Sequence, residues 1–200
     1  TIGQYTAFLN AVAATDTYSL YNADMATDLN VAGISRAGAS DSYTYSVINN
    51  GGNSANRPIT YVSWFDAARF ANWMTNGQGS GSTETGAYTL VGGQTSGTAP
   101  AKNPGAAFYI PTENEWYKAA YYSPVKGGVG SPGYYAYATQ SDSAPGNIIG
   151  SGTNQANYIT GAGFSVTQSG GVNASRDPNQ NYLTDVGAFT GSESFYGTFD

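Results

Sequence analysis

A proline that closes an apolar run and a threonine that opens a helix one residue later leave the stretch Phe108–Tyr122, FYIPTENEWYKAAYY, few ways to fold. Phe108, Tyr109 and Ile110 are β-prone, and Pro111 ends the run because it has no amide hydrogen to give to a ladder. Thr112 then caps a helix with its hydroxyl. Glu115 stands three residues on, so Thr-x-x-Glu reads as a reciprocal capping box worth ~1 kcal/mol. Glu113 and Glu115 also suit the positive end of the helix dipole. Trp116, Ala119 and Ala120 recur at three-to-four spacing and predict one buried stripe, with Lys118 pointing outward.

The same grammar occurs earlier, in Arg57–Gly77, RPITYVSWFDAARFANWMTNG. Pro58–Val62 reads as a short strand, Ser63 caps a helix with Asp66 three positions later, and Trp64, Ala67, Ala68, Ala71 and Met74 form the predicted stripe. A third box, Thr1-x-x-Gln4, opens a helix carrying Ile2, Tyr5, Phe8, Leu9 and Val12. A chain seldom begins on a helix cap, so this sequence is expected to be a segment of a longer one.

Between these helices lie loops and short strands. The segment 14–39 reads as irregular surface, its Asp16, Asp24 and Asp28 too widely spaced for a dedicated calcium loop. Ser42–Ile48 alternates Tyr43, Tyr45 and Val47 with smaller residues, the period of a half-buried strand, and Asn49-Asn50-Gly51-Gly52-Asn53 turns it. Tyr88–Val91 is a short strand between the Gly/Ser/Thr-rich segments 76–82 and 92–105. The run GGQTSGTA lacks the lysine and following helix of a phosphate loop. The row Tyr134-Tyr135-Ala136-Tyr137 suits either core and strand or a ligand-stacking surface. Gly161–Val172 reads as a strand between glycine turns, followed by an Asn173-Ala174-Ser175 sequon.

Composition sets limits on chemistry. With 27 Gly, 17 Tyr and 10% charged residues, the chain is rich in turns, and tyrosine supplies burial that leucine would usually give. The 14% aromatic content argues for a packed fold, and 200 residues suit one domain. A net charge of -6 with seven Lys and Arg disfavours nucleic acid and anionic membranes. No apolar run is long enough to span a bilayer. Zero cysteine and zero histidine remove disulfides, zinc-thiolate sites, cysteine nucleophiles, Ser-His-Asp triads and histidine-ligated metals, so no catalytic residue is assigned.

Four segments in order, Pro58–Trp73, Ile110–Ala120, Ala156–Tyr158 and Val186–Asp200, resemble the formylglycine-generating enzyme family, also called the sulfatase-modifying-factor domain. The resemblance covers nearly the whole chain and implies an α+β fold related to C-type lectins. Three helices, Ile2–Ala13, Trp64–Thr75 and Glu113–Tyr122, would pack around short twisted strands with long loops. It also implies calcium, held by the Asn157 side chain, the Tyr158 carbonyl and the Asp177–Gln180 loop, including Asp177 and Asn179, with Asp200 opening a second calcium loop. The residues alone equally suit a plain turn with an Asx cap at Asp177-Pro178-Asn179. In the family's enzymes a cysteine pair holds copper and activates oxygen, and a chain without cysteine cannot supply that thiolate, so copper is not expected here.

Three functions follow as expectations. One is a binding or structural module of an exported, surface-exposed bacterial protein, consistent with sparse charge and abundant Gly, Ser, Thr, Asn and Tyr. Another is a piece of an active oxidase whose cysteines lie outside these residues. The last is a calcium-supported, lectin-like surface for a glycan or protein partner, self-association included.

Overall fold

The computed structural model describes residues 1–161, 163–165, 172–173 and 175–199. Its contacts divide the chain into two compact units, Thr1–Asp28 with Ala32–Ile110, and Leu29–Val31 with Pro111–Asp200. Four α-helices and short antiparallel strand pairs among the described residues make the fold α+β.

The first unit is built on two capped helices. α1 spans Ile2–Val12, and Thr1 and Gln4 complete the reciprocal box expected from the sequence. α3 spans Trp64–Thr75, where the Ser63 hydroxyl accepts from the Asp66 amide at 3.2 Å and Asp66 accepts from the Ser63 amide at 2.9 Å. An aromatic knot joins them: Phe8 lies 5.5 Å from both Phe70 and Trp73, and Tyr5 lies 5.4 Å from Phe8. Between them come α2, Asp24–Thr27, and the antiparallel pair β1, Ile34–Ala37, with β2, Thr44–Val47, in the register Arg36↔Tyr45. β2 is the strand expected in the 42–48 run. α2 and β1 fall where the sequence reads as irregular, and α2 is one turn buried through Met25, too short to show a period.

The buried face of α3 matches the predicted stripe at Ala68 and Ala71 but not along its length. Phe65, Asp66, Ala68, Arg69, Ala71, Asn72 and Trp73 are buried, while Trp64, Ala67 and Met74 are only partly so. The helix is turned so that Arg69 and Asn72 face inward beside the capping Asp66, and both bond to the loops they organise, with Arg69 Nη1 left without a hydrogen-bond partner among the described residues. Asn72 Nδ2 donates to the Thr83 carbonyl at 2.7 Å, and its Oδ1 accepts from the Tyr88 amide at 2.7 Å. Arg69 donates to both carboxylate oxygens of Glu84, at 2.7 and 2.9 Å, and to the Gln94 carbonyl at 2.9 Å. Its guanidinium also stacks 4.0 Å from the Tyr18 ring centroid.

Three expected strands are absent, each because its backbone is partnered otherwise. Tyr61 sits at φ 57, a left-handed conformation that breaks the ladder predicted for Pro58–Val62. In the predicted strand Tyr88–Val91, the Tyr88 amide bonds to Asn72 and Val91 enters a single 3₁₀ turn, Val91–Gly93. In Phe108–Ile110, the Tyr88 hydroxyl takes the place of a neighbouring strand: it accepts from the Ile110 amide at 2.9 Å and donates to the Ile110 carbonyl at 3.3 Å. Ala87, Tyr88 and Leu90 therefore pack on Phe65, Ala68 and Ala71 as a loop-borne core.

In the second unit, α4 spans Glu113–Tyr121 with the Thr112–Glu115 box in place. Of the predicted stripe, Ala120 is buried and Ala119 partly so, whereas Trp116 is 52% exposed. Its aromatic side chains contact one another along the surface, where rings gain from edge and face contacts without burial beneath a second element. β3, Tyr122–Ser123, pairs with β4, Gly133–Tyr134, and β5, Phe164–Ser165, pairs with β6, Val172–Asn173. Where the sequence predicts one strand over 161–172, two antiparallel strands, β5 and β6, pair with each other instead, and the residues 166–171 between them lie outside the described residues, as does Ala174 of the sequon. Phe189 is the fully buried aromatic of this unit.

Replacing Arg69 with leucine removes the cation of a fully buried side chain, takes the donor from the Gln94 carbonyl and leaves Glu84 only the Thr83 hydroxyl. Urea unfolding of Arg69→Leu is expected to show a loss of about 3–5 kcal/mol at unchanged m. A loss below ~1 kcal/mol would mean that the pair does not hold the loop.

Candidate functional site

The residues expected to bind calcium come together in the second unit around Tyr182, which the sequence reading did not single out. The Tyr182 ring packs 5.4 Å from Phe164. Its carbonyl accepts from Asn157 Nδ2 at 2.8 Å, its hydroxyl accepts from the Asp177 amide at 2.6 Å, and its amide donates to the Asn30 carbonyl at 2.9 Å. Asn157 Nδ2 also donates to Thr184 Oγ1 at 3.3 Å. Asp177-Pro178-Asn179 forms an Asx turn, with Asp177 Oδ1 accepting from the Asn179 amide at 2.8 Å. Tyr158 is 38% exposed, its ring set edge-on to Tyr137. Asp200 lies outside the described residues.

Calcium needs six to eight oxygens turned toward one point, and the geometry of this loop answers that need poorly. The Asp177 carbonyl already accepts two donors, Asn30 Nδ2 at 2.9 Å and the Gln180 amide at 3.2 Å, which fills both of its lone pairs. The Gln180 carbonyl accepts from the same Asn30 amide at 2.7 Å. Arg176 donates to Asn30 Oδ1, placing a positive charge beside the one carboxylate that the loop brings. Among the described residues no three His, Cys, Asp or Glu side chains stand close enough to hold a metal ion. The residues around the Asp177 loop do not fit a calcium ion. Asn30 has no signal in the sequence: it lies in the irregular 14–39 segment, and its partners are roughly 150 residues away.

A second feature of this unit is a band of exposed rings along α4 and the β3–β4 hairpin. Trp116 meets Tyr121 at 5.7 Å, Tyr121 meets Tyr117 at 4.9 Å, and Tyr117 stacks on Tyr134 at 5.0 Å with 24° between planes. Tyr134 meets Tyr122 at 5.1 Å, and Tyr122 stacks on Tyr196 at 6.5 Å. Trp116, Tyr117, Tyr134 and Tyr196 are each about half exposed. Beside them an open recess of about 350 Å³ is lined by Glu115, Lys118, Ala119 and Tyr196. A second cavity of about 220 Å³ lies among Tyr121, Tyr137, Thr139, Ala156 and Tyr158. The band was half legible, since the Tyr134–Tyr137 row has a stacking reading, whereas Trp116 and Tyr117 read as helix residues.

Lys126 fixes the hairpin that carries the band. Its Nζ donates to the Tyr134 carbonyl at 2.6 Å and to Asp142 Oδ1 at 2.8 Å, and the Ala136 amide donates to the same carboxylate oxygen at 3.0 Å. The hydrogen bond from Lys126, with help from the Ala136 amide, holds the Asp142 carboxyl below the usual aspartate range. The folded value lies below the unfolded one. The contribution to stability is therefore present above the ordinary aspartate pKa and is lost as pH falls through the folded value. Carboxyl chemical shifts followed by NMR should show Asp142 titrating below a free aspartate, and Lys126→Met should move it back up. An unmoved titration in the variant would remove Lys126 as the cause.

None of the described helices is long and apolar enough to cross a membrane. No curated protein and no solved structure matches the chain. A family model does, and its span takes in all three capped helices, the aromatic band and the Tyr182 loop: residues 1–198 match the sulfatase-modifying factor enzyme 1-like domain, and the chain belongs to that family.

Proposed function

We propose that this chain is a non-catalytic binding module of an exported bacterial protein, keeping the family's fold in a C-type-lectin-related arrangement. The observation that carries the reading is the band of half-exposed rings on α4 and the β3–β4 hairpin. A contiguous row of that kind on a surface marks a contact site. Tyrosine and tryptophan faces suit the C–H faces of neutral sugars, and Glu115 and Lys118 at the adjoining recess would meet sugar hydroxyls. A neutral glycan is the ligand class that this mixture favours.

Two further features support the reading. The 200 residues hold neither cysteine nor histidine, so the thiolate needed for the family's oxidation of a sulfatase cysteine is not among them. The seven cations are also all engaged. Arg57 and Arg69 are fully buried, Arg36 stacks on Tyr21 and Tyr43, and Lys102 and Lys118 lie over Tyr109 and Tyr122. Lys126 pairs with Asp142, and Arg176 bonds to Asn30. Little positive charge is left for a polyanion, which weighs against nucleic acid. The span of the family match favours the oxidase as the second reading.

Both readings meet in one pair of assays. Among the three tryptophans, Trp116 is the one more than half exposed, so its emission reports on the band. Titration with neutral oligosaccharides is expected to shift emission to the blue, and Trp116→Phe is expected to abolish the shift. Incubation with a cysteine-containing sulfatase peptide, copper and oxygen is expected to leave the cysteine intact. Formylglycine in that peptide would establish the oxidase, and emission unmoved by any sugar would remove the glycan.

A further inference from the structure

We infer that Asn30 and Arg176 together do the work of a bound cation at the 176–182 loop, so that this loop is organised without a divalent metal. A loop whose carbonyls turn toward one point needs something positive, or a set of N–H donors, at that point. Here the point is occupied by the Asn30 carboxamide, which is 6% exposed. Its Nδ2 donates to the Asp177 carbonyl at 2.9 Å and the Gln180 carbonyl at 2.7 Å, while Oδ1 accepts from Arg176 and the backbone carbonyl accepts from the Tyr182 amide.

The amide orientation is fixed by its partners. Carbonyls can only accept and a guanidinium can only donate, so the flipped amide would set Oδ1 against two carbonyl oxygens and Nδ2 against a cation. Nδ2 supplies the two donors that a metal would replace with coordination. Arg176 supplies the positive charge, one residue from the Asp177 carboxylate. The same guanidinium opposes a divalent ion that tried to enter, because like charges a few ångströms apart repel in a partly buried site. Asp177 meanwhile uses its carboxylate for the Asx turn to Asn179. The loop is thus closed on a neutral amide and a built-in cation, and this holds whatever ligand the aromatic band takes.

The exchange has a directional consequence. Asn30→Asp keeps the shape but replaces the two-bond donor with an oxygen facing two carbonyls, which makes an oxygen cluster that only a cation can hold together. Asn30→Ala leaves the same carbonyls without a donor and creates no ligand.

Thermal unfolding of the 200-residue chain in EDTA and in millimolar calcium chloride tests this. The parent chain should melt at the same temperature in both. Asn30→Ala should melt roughly 3–8 °C lower with no response to calcium. Asn30→Asp combined with Arg176→Gln, which removes the opposing guanidinium as well, should melt lower in EDTA and regain most of the loss in calcium. Asp177→Asn, which keeps the Asx acceptor and removes the charge, should behave as the parent does. Calcium stabilisation of the parent that disappears in Asp177→Asn would overturn the inference, since the loop would then hold the ion with Asn30 in place. An unshifted Asn30→Ala would overturn the role of the amide, and a loss in the Asn30→Asp, Arg176→Gln double variant untouched by calcium would overturn the cation-like geometry. The parent and Asp177→Asn arms decide the matter even if neither Asn30 variant folds.

Discussion

Asn72 uses both ends of its amide on the backbone of the loop that follows its own helix, and much of the first unit depends on that bond pair. A chain with this much loop must still partner its buried amides and carbonyls, since an unpaired one costs about as much as a lost hydrogen bond. Strands would ordinarily do it. Here the longest described strands run four residues, so side chains on a rigid helix take over the task. Asn72 holds Thr83 and Tyr88, Asn76 holds the carbonyls of Ser82 and Thr85, and Arg69 holds Glu84 and Gln94. Gly86 completes the arrangement: it sits at φ 147 with Asn72 so close that a Cβ there would meet the asparagine backbone and side chain at 3.1–3.2 Å. The loop from 76 to 105 is therefore a molded surface of α3, and its apolar residues Ala87, Tyr88 and Leu90 can serve as core.

The second unit repeats the device with different residues. Asn30 anchors the Asp177–Gln180 turn, Asn154 donates to the carbonyls of Ser143 and Ala144, and Ser192 ties Gly152 to Gln155. In each case a small polar side chain stands where a ladder or a metal ion would serve in another protein. This economy explains the composition. Asn, Ser and Thr are numerous because they carry the hydrogen bonding that regular structure does not. Tyrosine is numerous because it buries area while its hydroxyl reaches a carbonyl, as Tyr5 does to Leu20 and Tyr45 to Ala13.

What could be read from the sequence was local. The three capping boxes, at Thr1, Ser63 and Thr112, are present as their spacing requires, because a cap is settled within four residues. The buried faces were not legible in the same way. Periodicity marks which residues are apolar, and on α3 it gave no sign that Arg69 and Asn72 would be turned inward to meet loop backbone. On α4 it treated Trp116 as a core residue because tryptophan is usually buried, whereas the ring belongs to a surface row completed by Tyr134 and Tyr196 from elsewhere in the chain. The missing strands share that cause. Apolar runs such as Ile59–Val62 and Phe108–Ile110 have the right residues for a sheet, and nothing in them tells that a left-handed Tyr61 or the hydroxyl of Tyr88 will take the place of a neighbour. The Asp177 turn was legible as a turn, but its partner Asn30 was not, since no local pattern marks a residue that far away in sequence.

A family fold can be held by residues that take no part in its chemistry. The family match spans residues 1–198, which hold the three caps, the loop anchors and the packed rings. A chain under selection for that scaffold keeps Ser63, Asp66, Thr112 and Glu115, because loss of a cap costs ~1 kcal/mol wherever the helix is used. No such cost attaches to metal ligands once a side chain can satisfy the same carbonyls. An asparagine and an arginine at the Asp177 loop are one way of meeting that condition: Asn30 donates to the loop's carbonyls and is itself held by Arg176. The row of exposed rings on α4 and its hairpin is the part of the molecule that the scaffold's own stability leaves unexplained.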